Sequence, residues 1–131
     1  MEHTIVVTME KKYTSNDLVN ILSCITADCI WCSDIEYADN DYAKAKKRLA
    51  DRGNNNVCYE EVLVEILEMG KTIWFCDDEM GEVYDLTLDK LLCGIQMNCE
   101  YRPSDCDIDD GDAETMDCII QYALFGEILF S

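Results

Sequence analysis

Cys29-Ile30-Trp31-Cys32 is the one place in the chain where two cysteines stand at CxxC spacing. Thiols so spaced supply half of a structural zinc site, or cycle as a redox disulfide. Cys29 and Cys32 are therefore the candidate metal ligands. Zinc needs four ligands, however. The single histidine is His3, and no second CxxC is present. Cys24, or some of Cys93, Cys99 and Cys106, would have to converge on the pair. Redox catalysis needs a depressed thiol pKa. The neighbours Asp28, Asp34 and Glu36 are acidic and act in the opposite sense.

A second constellation is the aspartate-rich stretch before the last helix. Asp105, Asp107 and Asp109 have the spacing of positions 1, 3 and 5 of an EF-hand loop. The pattern then fails. Asp110 stands where the sixth-position glycine belongs, Gly111 comes one residue late, and Met116 occupies the place of the bidentate glutamate. A solvated acidic loop, with Asp110 or Asp112 capping the following helix, is the simpler reading. Nucleophilic catalysis would have to use His3, beside a chain terminus. Neither a phosphate-binding glycine loop nor a HExxH motif occurs. No cofactor is expected, and nothing in these motifs makes an enzyme.

Charge is more informative. Residues 1–56 carry 9 acids and 7 bases, a net of −2, whereas residues 57–131 carry 19 acids and 3 bases, a net of −16. The total of −18 gives the molecule a strong field. Such a field repels nucleic acid and anionic membrane and attracts basic surfaces. Six acids and no base lie between Asp77 and Asp89, and eight acids with one base between Glu100 and Asp117. The candidate partner-binding residues are therefore Asp77, Asp78, Glu79 and Glu82 in one cluster, and Asp105, Asp107, Asp109, Asp110, Asp112 and Glu114 in the other. A basic helix face, Lys44 to Arg48, reads as a solvated surface balancing nearby acids.

These residues need a scaffold. At 131 residues with a hydrophobic fraction of 49%, the chain suits one acidic domain, 1–131, with a proper core. No apolar run reaches the ~20 residues of a membrane span. The N-terminal residues lack the basic and apolar regions of a secretory signal, so a cytoplasmic location is expected. Nine cysteines, odd in number and irregular in spacing, argue against a disulfide framework and for small, buried, reduced side chains.

Periodicity predicts a strand over residues 4–9 and a helix capped by Thr14 with Asp17, running to about Ala27. Residues 29–37 read as a strand or loop that buries Trp31. A helix follows over about 40–51 with Asp39 as N-cap, then a third to about Met69, closed by Gly70. Residues 72–76 and 82–86 read as a hairpin. Thr87 caps a fourth helix with Leu88, Leu91, Leu92 and Ile95 inward. The last helix, roughly 112–125, turns Met116, Ile119, Ile120 and Ala123 inward and ends at Gly126. Residues 127–130 form a short strand or a packed tail. The sum is an α+β domain: a small, mainly antiparallel sheet of three to four strands, including the 72–86 hairpin, covered by about five helices.

Several segments resemble a group of small acidic accessory proteins encoded by phages and integrative elements of Gram-positive gut bacteria. They are Ser15-Asn16-Asp17-Leu18, Ile30-Trp31-Cys32, the stretch from Tyr84 to Ile95, and the stretch from Ile119 to Ile128. The resemblance spans most of the chain and carries no active site. Where that family's pattern has a more glycine-rich turn, this chain has Thr26-Ala27-Asp28-Cys29. It implies a mobile-element accessory protein that acts stoichiometrically. With the charge, it points to a nucleic-acid-mimicking inhibitor of a basic, nucleic-acid-binding host protein, of anti-CRISPR or anti-restriction type. Direct binding to nucleic acid or membrane is not expected. The alternatives are a zinc-binding regulatory domain using Cys29 and Cys32, and a homo-oligomer that buries an apolar face of the 59–69 helix.

Overall fold

The computed structural model describes residues 1–5, 10–28, 31–77, 81–109 and 111–130. Among them are five α-helices, one 3-10 turn and a three-stranded antiparallel sheet: α1 (Ser15–Asp28), β1 (Cys32–Tyr37), α2 (Asp39–Asp51), α3 (Tyr59–Glu68), β2 (Ile73–Asp77), β3 (Val83–Leu86), α4 (Leu88–Tyr101), the 3-10 turn (Pro103–Asp105) and α5 (Ala113–Phe125). This is an α+β fold.

β2 is the central strand, with β1 and β3 antiparallel on either side. Side chains alternate across the sheet with period two. Ile35, Ile73, Phe75 and Leu86 point into the core and are buried. Asp34, Glu36, Val83 and Asp85 are exposed on the other face, with Trp74 and Cys76 half-buried among them. The helices thus lie against one face of the sheet.

α3 is the central helix. Val62, Leu63, Val64, Ile66 and Leu67 are all buried, so its apolar surface is already covered within one chain. The expectation of a free apolar face on residues 59–69 is corrected accordingly. α1 packs alongside, and Thr26 Oγ1 donates to Glu60 Oε1 at 2.6 Å while Ser15 Oγ donates to Glu68. α4 and α5 form an antiparallel pair at closest approach around Gly94. A Cβ there would sit 2.5 Å from the Ile119 carbonyl oxygen and 2.7 Å from Ala123 Cβ.

The helix ends follow local chemistry. Thr14 and Asp17 bond each other's backbone N–H at 2.8 and 3.2 Å, a capping box. Thr87 Oγ1 accepts from Lys90 N at 3.3 Å, and Asp112 Oδ1 from Thr115 N at 2.9 Å. Gly126 closes α5 in the left-handed region, φ 72°. At α2 the expected cap differs: Ala38 is the N-cap, without a side-chain bond, and Asp39 is the first helical residue, complementing the helix dipole. On α4, Leu92 is exposed rather than inward. Leu91, Ile95 and the close-packed Gly94 form the inner face.

Thr4 and Ile5 are exposed and belong to no strand; the rest of the expected 4–9 strand, residues 6–9, lies outside the described residues. Residues 127–130 are a packed tail. Buried Gln121 holds it with a full set of bonds: Oε1 accepts from Leu129 N and Phe130 N, both at 2.8 Å, and Nε2 donates to Phe130 O at 2.8 Å and Asp117 Oδ2 at 2.9 Å. The Phe130 ring then stacks on Trp31 at 5.3 Å.

Candidate functional site

The acidic stretch between α4 and α5 is a built loop. Cys99 and Cys106 form a disulfide across it. Asn98 Nδ2 donates to Asp105 O at 2.9 Å, and Arg102 binds Asp105 Oδ2 at 2.6 Å, with Glu114 at 4.0 Å. Ile108 is buried and pins the loop from inside. Asp107 Oδ1 accepts the Asp109 amide at 3.0 Å. Asp112 caps α5, and its carboxyl is held below the usual range by the Thr115 amide and hydroxyl. With these backbone demands met, Asp107, Asp109, Asp112 and Glu114 remain exposed. Among the described residues, Asp107, Asp109 and Asp112 have no Lys or Arg within 4.0 Å. A cleft of about 220 Å³ separates Asp107 and Asp109 from Lys11 and Lys12 of the N-terminal segment.

The hairpin cluster is different. Glu82 is exposed, but Asp77 is buried at the end of β2, where its backbone closes the hairpin: Asp77 N donates to Glu82 O at 2.8 Å. Asp77 is therefore a structural acid and not part of an outward cluster, a correction to its expected role. Asp78 and Glu79 lie outside the described residues, as does Asp110 of the other cluster. Tyr84 of the hairpin meets Phe125, at the C-terminal end of α5, edge-on at 4.7 Å. The acidic loop sits at the N-terminal end of the same helix. The two clusters are thus set apart by the 13 residues of α5, a length of about 20 Å.

Cys32 is half-buried, and its Sγ donates to Asp34 O at 3.3 Å. Cys29 lies outside the described residues, and among those described no group of three or more His, Cys, Asp or Glu could hold a metal. The cysteines also correct the expectation of buried, reduced thiols. One pair is a disulfide, and of the free cysteines described only Cys118 is buried, while Cys58 and Cys93 are exposed. Burial pushes the Cys118 thiol up, away from reactivity.

Sequence reasoning missed Glu65. It is 3% exposed, yet charged, because two arginines of the preceding segment converge on it. Arg52 binds both carboxylate oxygens at 2.9 and 2.7 Å, and Arg48 Nε binds Oε1 at 3.0 Å. The Arg52 hydrogen bonds, against the opposing effect of burial, hold the Glu65 carboxyl below its ordinary 4.5. Arg48, expected to be merely solvated, is part of this clamp between α2 and α3. Asp117 is a second missed acid: it accepts the Trp31 indole N–H at 2.6 Å. No helix among the described residues is long and apolar enough to cross a membrane.

No protein-family model, no curated protein and no solved structure matches this chain.

Proposed function

We propose that this chain is a stoichiometric protein-binding modulator from a mobile element, acting in the cytoplasm as a nucleic-acid mimic. On this reading it does no chemistry. It occupies the basic, nucleic-acid-binding surface of a host defence or transcription protein, as an inhibitor of anti-CRISPR or anti-restriction type would.

The observation that carries the reading is the acidic loop of residues 105–114. Its shape is held by the Asp112 helix cap, the Asn98 and Arg102 bonds to Asp105 and the buried Ile108, bonds that do not depend on the Cys99–Cys106 disulfide, while Asp107, Asp109 and Asp112 are exposed and, among the described residues, in no ion pair within 4.0 Å. Carboxylates fixed in advance lose little entropy on docking. A duplex presents one charge per ~1.7 Å of axis, and a rigid acidic loop competes for the same lysines and arginines. The resemblance to phage and integrative-element accessory proteins supports the same reading, as does the net charge of −18.

The experiment is retention of host proteins on the immobilised chain at low and at moderate salt, with duplex DNA as competitor. The reading expects a nucleic-acid-binding protein that survives moderate salt and is displaced by DNA. Retention that vanishes uniformly with salt, or is indifferent to DNA, would reduce the acidity to a solubility feature.

A further inference from the structure

The face of the sheet turned away from the helices carries, among the described residues, a second, differently built surface. The strand register sets Glu36 opposite Trp74 and Trp74 opposite Asp85, so one row across three strands reads carboxylate, indole, carboxylate. Cross-strand neighbours stand about 5 Å apart, so an acid flanks the indole on either side. The next row reads Asp34, Cys76, Val83. Burial, and then the charges of Glu36 and Asp34, push the Cys76 thiol up, as a face rich in negative potential requires. The row already holds one cation: Lys90 Nζ bonds Asp85 Oδ2 at 2.7 Å and Asp85 O at 3.2 Å, from a position that is itself partly exposed.

Trp74 is half-buried on this face. Trp31, by contrast, is buried, with its N–H satisfied by Asp117. Trp74 beside the exposed Glu36, with Asp85 shared with Lys90, has the chemistry that receives a guanidinium: a planar cation stacks on the indole while its N–H groups reach the carboxylate at its edge. An ammonium has no plane to stack and fewer donors to share. The occupant is therefore an arginine, and the surrounding acids Asp34 and Glu82 favour one carried on a basic segment.

We infer that the sheet face turned away from the helices, centred on Trp74 and flanked by Glu36 and Asp85, docks an arginine-bearing segment of a basic partner protein. This rests on the proposed function only for the kind of partner, and uses a face separate from the acidic loop.

The test is calorimetric titration of the full chain, at ~0.15 M salt where distant charges are screened, with a short synthetic peptide alternating arginine and serine. Its lysine counterpart is the control. Saturable binding is expected, weakened about tenfold by Trp74→Leu and at least as much by Glu36→Gln with Asp85→Asn. The loop variant Asp107→Asn, Asp109→Asn, Asp112→Asn should bind within about twofold of the parent. Because Trp74→Leu lies on the face turned away from the helices its fold should survive, and the carboxylate pair variant decides the matter if it does not. Equal affinity of parent and both sheet variants overturns the inference, as does equal affinity for the lysine peptide. So does binding that appears only when residues 1–9 are removed, which would make this chain's own segment the occupant. A parent dimer dispersed by Trp74→Leu would make the occupant a second copy and overturn it likewise. Loss confined to the loop variant sinks this surface while leaving the proposed function standing.

Discussion

Glu65 joins two helices through one carboxylate. Its bonds to Arg48 and Arg52 cross from α2 to α3, and α3 is the helix around which the core is built. The arginine side chains stay about half exposed, at 53% and 49%. Removing the charge therefore leaves no buried cation behind, and Glu65→Gln should cost about 1–2 kcal/mol, read from urea denaturation. The pH dependence carries the sign. A carboxyl whose folded pKa lies below its ordinary 4.5 binds protons more weakly when folded. Its contribution is fully present above pH ~4.5 and is lost as pH falls through the folded value. The parent should thus lose its advantage over Glu65→Gln below pH ~4.5, and a constant gap down to low pH would contradict the clamp. Nothing along the sequence marks Glu65 out from Glu60, Glu61 and Glu68. All four sit on one helix, and the distinction comes from arginines on another. Asp77 was hidden for the same reason, since a strand end reads as a turn until the hairpin pairing is known.

At the scale of elements, the α4–α5 pair depends on Gly94. Ala in its place gains about 1 kcal/mol of helix propensity, but its Cβ would meet the Ile119 carbonyl at 2.5 Å. The obstacle is backbone and cannot rotate away. The clash wins, and Gly94→Ala should lower stability by about 1–3 kcal/mol in thermal or urea unfolding. A neutral or stabilising result would mean that the helices are further apart. Elements specified by local chemistry were legible from sequence: Thr14 and Thr87 as caps, Asp112 as one of two cap candidates with Asp110, Gly70 and Gly126 as terminators, and the inward set of α5. The α+β class and the hairpin followed from the same periodicities. What depends on contacts made outside a regular element was not legible. The tail that Gln121 captures has no strand pattern of its own, and the Cys99–Cys106 pair was hidden among nine cysteines with an odd count. Leu92, expected inward, is 42% exposed, while Gly94 of the same helix lies close against α5.

For the whole molecule, the charge of −18 is distributed unequally between structure and surface. Glu60, Glu65, Glu68, Asp77 and Asp117 serve internal bonds or lie buried, and Asp105 is held by Arg102. Among the described residues, Asp107, Asp109, Asp112 and Glu114 stand outward at the loop before α5 and Glu82 and Asp85 at the hairpin, and further exposed acids such as Glu2, Glu10, Asp39, Asp51, Glu100 and Glu127 are spread over the rest of the surface. Of the candidate site, the loop was legible as a run of aspartates; its fixed shape was not, because the Asn98 and Arg102 bonds and the buried Ile108 that hold it involve no recognisable motif. An interaction through exposed carboxylates is screened by salt, so affinity for the DNA-competed partner should fall as ionic strength rises while remaining measurable at moderate salt, and a salt-insensitive complex would require an apolar interface instead.

The most direct measurement is binding of the DNA-competed partner by Asp107→Asn, Asp109→Asn, Asp110→Asn, Asp112→Asn together. Asparagine is as good an N-cap as aspartate, so the unfolding transition should be retained while four charges are removed. The account predicts loss of DNA-competed binding by a folded variant. Undiminished binding by that folded variant would contradict it.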